Sequence, residues 1–107
     1  MDYEIVITKS MHKCLDDILG YLIDELDNHQ AACKLRDSLE RLYSYLEKTP
    51  KMFQLCDDPF LSALGYRQAS LHTLDYAVIY TISDGKVYVI DLHHLKQNWH
   101  SKYKVLL

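Results

Sequence analysis

Arg67, Tyr76, His94, Lys96, Gln97, Trp99, His100 and Tyr103 are the residues of this chain whose types suit a chemical task. Cleavage of RNA through its 2′-hydroxyl needs a base to take the proton, an acid to supply the leaving 5′-oxygen, and cations to stabilise the pentavalent phosphorane. Histidine and tyrosine serve proton transfer, His94 foremost, because an imidazole is the side chain best matched to that work. Arg67 and Lys96 serve as phosphate clamps. Tyr76, Gln97, Trp99, His100 and Tyr103 would hold substrate, with Trp99 or Tyr103 as a flat surface for a splayed base. Each has a structural reading beside the chemical one. A strand arginine commonly pairs with a carboxylate, Tyr76 and Tyr80 suit sheet packing, and Trp99 suits a lid over the core edge.

Other chemistries fit less well. His93 and His94 are neighbours at the end of a β-rich run. Successive strand residues point to opposite faces, so the two cannot share one metal ion there. No HxH, HExxH or cysteine–histidine set occurs. A nucleophile elbow is missing too, and only three glycines, Gly20, Gly65 and Gly85, are present to build a phosphate cradle. No cofactor is expected.

The elements that must position these residues follow from periodicity. Residues 3–8 are β-branched and aromatic, which predicts a strand. From about residue 10 to 27 the apolar residues Met11, Leu15, Ile18, Leu22 and Leu26 recur at three and four, which predicts a helix with Ser10 as its cap. Asp27-Asn28 breaks it, and Asn28 caps a second helix over about 29–48 with its stripe on Ala32, Leu35, Leu39, Leu42 and Leu46. Thr49-Pro50 ends that helix, because proline disfavours helical geometry in the residue before it. Residues 50–65 read as a long ordered connection. Strands follow at about 66–72 and 76–82, with a turn at 73–75. Asp84-Gly85 is a hairpin signal, since a two-residue primed turn needs positive φ at both positions. The return strand covers about 87–93. The two helices form a hairpin whose stripe closes one face of the sheet, and the opposite face and the basic end are left for a target.

Composition sets the frame. The 107 residues make one domain, 1–107, with 49% hydrophobic and 25% charged residues, the balance of an ordinary globular protein. No apolar run approaches the roughly 20 residues that cross a bilayer, and the acidic start Met1-Asp2-Tyr3-Glu4 is unlike a signal peptide, so a cytoplasmic location without membrane contact is expected. Cys14, Cys33 and Cys56 are odd in number and widely spaced, which argues for reduced thiols. The net charge of -3 opposes non-specific coating of nucleic acid. Ten of the fifteen acids fall in residues 1–49, however, and none follows Asp91, so the C-terminal end is locally basic.

The order β-α-α-β-β-β resembles the RelE/ParE superfamily, the toxin halves of type II toxin–antitoxin operons, over essentially the whole chain. Leu61-Ser62-Ala63-Leu64-Gly65-Tyr66-Arg67 resembles the segment leading into that family's second strand. Tyr76-Ala77-Val78-Ile79-Tyr80 resembles its tyrosine-flanked third strand. Val87 to His94, followed by Lys96-Gln97-Asn98-Trp99, resembles its fourth strand and the basic run beyond. The resemblance implies an α+β fold, a helical hairpin on a mainly antiparallel four-stranded sheet. It implies a growth-inhibiting toxin bound by a cognate antitoxin. RelE-like members cut ribosome-bound mRNA without a metal, through residues here matched by His94, Arg67 and Lys96. ParE-like members inhibit DNA gyrase without chemistry. A decayed toxin that only binds its antitoxin is the third form. Ala77 stands where RelE-like chains carry an arginine, and Gln97-Asn98 replaces a second arginine and an acid.

Overall fold

A computed structural model describes residues 2–71 and 75–94. Strand β1 (Glu4–Ile7) leads into helix α1 (Lys9–Gly20), which continues as a π-helical turn over Tyr21–Glu25. Helix α2 (His29–Lys48), a 3-10 turn (Pro50–Met52) and a short helix α3 (Pro59–Ala63) follow. Strands β2 (Arg67–Ser70), β3 (Tyr76–Ser83) and β4 (Lys86–His94) complete the chain's described part. The fold is α+β, as the sequence predicts, with the two long helices on one face of a four-stranded sheet.

The sheet order is β1-β4-β3-β2. β2–β3 and β3–β4 are antiparallel hairpin neighbours, whereas β1 lies parallel to β4, with Glu4 beside Lys86 and Ile7 beside Val89. The Asp84-Gly85 turn has φ of 51° and 75°, the left-handed pair a primed turn demands. A bulge interrupts β4: Tyr80 pairs with Val89 but Ile79 with Asp91, leaving Ile90 as the extra residue.

Where β1 stops, α1 takes over alongside β4. Thr8, not Ser10, caps the helix. Its hydroxyl oxygen accepts from the Met11 N–H at 3.2 Å and donates to the Val89 carbonyl at 2.9 Å. Ser10 instead donates to the Ile90 carbonyl, and the Cys14 thiol meets the Asp91 carboxylate at 2.7 Å. The helix starts two residues before the local signal suggests because tertiary contacts with β4 claim both hydroxyls. At its far end the Leu26 N–H reaches back five residues to the Tyr21 carbonyl, 3.1 Å, which keeps Leu22 in the core while Tyr21 and Leu26 are turned outward. Asn28 caps α2 as expected, accepting from the Ala31 N–H at 3.0 Å.

The α2 stripe Ala32, Leu35, Leu39, Leu42 and Leu46 is buried with Met11 against Ala69, Val78, Tyr80, Val87, Val89 and Leu92. Burying a leucine or valine side chain contributes about 1.5–3 kcal/mol, so this one layer supplies most of the drive to fold. The opposite face is not left entirely open. Ile79 there is fully buried beneath Cys56, Leu61 and Tyr66, supplied by the connection that the sequence reading left featureless. Asp58 makes this possible. Its carboxylate accepts from the Phe60 and Leu61 N–H groups and starts α3 behind Pro59. Among the described residues no helix is long and apolar enough to cross a membrane.

Candidate functional site

β3 and β4 bring two of the proposed site residues together. Tyr76 and His94 are register partners at the last rung of the hairpin, and their rings meet edge to face with centroids 5.1 Å apart and planes at 84°. Tyr76 packs against the helix-side core, so this pair lies at the open end of the helix-covered face. Burial, and then the neighbouring Tyr21, raise the Tyr76 phenol above its ordinary range. A phenol held protonated donates a hydrogen bond but does not act as a base near neutrality. His93 and His94 do diverge: His93 is buried opposite Ala77, while His94 is half-buried.

Arg67 is elsewhere. It pairs across from Tyr80, and its guanidinium donates to the Phe53 carbonyl at 2.7 Å. Four residues of β3 separate Tyr80 from Tyr76, roughly 13 Å of strand, and two strand spacings of about 5 Å lie between β2 and β4. A cation and a proton-transfer group that act on one phosphate must both come within about 3 Å of the reacting atoms. The fold spends the arginine on holding the 50–55 connection to β2, and leaves it a long way from His94. The proposed residues Lys96, Gln97, Trp99, His100 and Tyr103 lie outside the described residues.

Two side chains were missed in the sequence. Tyr21 is about half exposed and stands by Tyr76, placed there by the π-helical turn. Its position off the Leu22 stripe was visible, but the change of helical pitch that turns it toward β3 was not. Arg41 is the other. It lies four residues before the exposed Tyr45 on α2, beside a surface cavity of about 310 Å³. Among the described residues no three His, Cys, Asp or Glu side chains cluster as metal ligands.

Comparison with known proteins bears on the whole chain rather than on one residue. Residues 5–99 match the family model described as "ParE toxin of type II toxin-antitoxin system, parDE". A solved structure described as "Chromosomal ParDE TA system from P. aeruginosa" superposes with a TM-score of 0.70 at 13% sequence identity, over 86% of this chain and 95% of that one. At that identity the likeness is one of fold. No curated protein matches the sequence.

Proposed function

Because the chain belongs to the ParE toxin family of type II toxin–antitoxin systems, we propose that it inhibits growth by binding DNA gyrase without catalysing a reaction, and that its antitoxin releases the block. The observation that carries this reading is the placement of Arg67. Its guanidinium is engaged by a main-chain carbonyl, more than two strand spacings' reach from the Tyr76–His94 pair. A binding toxin has no need of an assembled proton donor and phosphate clamp, whereas a nuclease has.

One observation favours a second reading. Tyr76 and His94 do meet at an open end of the sheet, the arrangement an mRNA-cutting site at ribosome-bound message would use. Inducible expression of the wild type and of His94→Ala separates the two. Gyrase inhibition gives DNA-damage induction with intact mRNA, undiminished in His94→Ala, and loss of supercoiling by purified gyrase. Rapid loss of mRNA that disappears in His94→Ala would overturn it in favour of the nuclease.

A further inference from the structure

The edge of the sheet at β2 is open over one residue, and that residue borders an apolar groove. On the outer side of β2 the chain's own connection pairs only part of the way: the Cys56 N–H donates to the Tyr66 carbonyl at 2.9 Å and the Gln68 N–H to the Gln54 carbonyl at 3.0 Å. The Leu71 N–H faces the other way, to the Tyr76 carbonyl of β3. Antiparallel alternation therefore turns the Ser70 N–H and C=O outward. The residue that would continue the outer pairing is Met52, but the 3-10 turn at Pro50–Met52 carries it off. A gap opens between α2 and the sheet edge.

That gap is lined and charged. One cavity of about 310 Å³ has Arg41 and Tyr45 of α2 on one wall, Met52 and Phe53 on another, and Ser70 at the edge. A second, of about 290 Å³, shares Met52, Phe53 and Ser70 and ends at Asp57. Tyr45 and Met52 are more than half exposed. Among the described residues Arg41 has no ion-pair partner.

We infer that this groove holds an extended segment of the cognate antitoxin, with a bulky apolar side chain seated among Tyr45, Met52 and Phe53 and an acidic residue against Arg41. Main-chain pairing with Ser70 fixes the segment's register, and the pocket beside it selects the side chain. An arginine fits a carboxylate in a two-pronged contact, which is why the partner's charge is acidic. The inference rests on the toxin reading for its partner, and adds the surface and the chemistry of the segment.

The antitoxin encoded beside this chain, purified and titrated against the full-length chain, tests it. Arg41→Glu and Met52→Asp change exposed side chains, so both variants should melt like the wild type. Each is expected to weaken binding by about tenfold or more, in the range found for groups at interface centres and charged rims. Leu26→Asp, at the exposed helical turn, should bind normally. Amide exchange at Ser70 should slow in the complex. If the antitoxin binds and both groove variants bind it within twofold of wild type, with Ser70 exchange unchanged, the groove assignment falls and the toxin reading stands. If the wild type does not bind the antitoxin, both fall. A self-associating chain whose dimer is broken by Met52→Asp would show the groove filled by a second copy, and would overturn the assignment too.

Discussion

Tyr80 donates its hydroxyl to the carbonyl of Pro50, 2.6 Å away, so the middle of β3 is tied to the residue that stops α2. The ring is fully buried and meets Phe53 edge to face, and burial raises its phenol well above the ordinary range. Tyr80→Phe keeps the ring and strands the Pro50 carbonyl. The expected loss is about 1–3 kcal/mol, seen as a lower urea midpoint with an unchanged slope.

Arg67 acts on the same connection from β2. Arg67→Ala removes a charge-assisted bond to the Phe53 carbonyl and is expected to cost about 1.5–3 kcal/mol. The connection should then open locally, and endoproteinase Lys-C should cut after Lys51 faster than in the wild type. An unchanged cleavage rate would mean that the guanidinium does not hold this segment.

The hairpin turn offers a backbone test. Gly85 has φ of 75°, and nothing lies within 4 Å of where a Cβ would stand. Gly85→Val therefore meets no neighbour, and its cost is the left-handed conformation alone, about 1–2 kcal/mol. Thermal melting should fall by several degrees, about 4–8 °C for each kcal/mol in a domain this size.

Cys56 gives a pH dependence whose sign is fixed. Burial first, then Asp57 and Asp58, push its thiol from 9.0 up to about 11. Below pH 9 the thiol is protonated folded and unfolded alike, so its contribution is fully present. Above pH 9 the unfolded chain loses its proton first, and stability falls as pH rises toward 11. Cys56→Ala should flatten that decline between pH 9 and 10, measured as the urea midpoint. At pH 8 iodoacetamide should label the exposed Cys33 and spare Cys56, read by peptide mass.

Local signals in the sequence were reliable where neighbours in the chain decide the structure. Asn28 caps α2, the leucine stripe from Leu35 to Leu46 is buried, and Asp84-Gly85 turns as its residues require. Signals failed where distant residues decide. Ser10 is a good cap by type, yet β4 claims its hydroxyl and Thr8 takes the role. The connection 50–65 was read as plain because its helix is only five residues long, and its purpose, covering Ile79, depends on a strand still to come. Among the site residues, the Tyr76–His94 contact follows from hairpin register. The distance from Arg67 to His94 does not, because one residue type on each of two strands says nothing of how far along them they meet.

The parallel pairing of β1 with β4 bears on how the molecule is made. Glu4 must wait for Lys86, and β4 is the strand that joins β1 to the rest of the sheet. During synthesis the helices and the β2–β3 hairpin emerge without a centre to gather on, and contacts spanning most of the chain slow the final collapse. The polypeptide becomes native only once nearly all of it has left the ribosome. Until then the apolar edges of its first strand and third strand are uncovered, and a newborn molecule is both harmless and prone to clump.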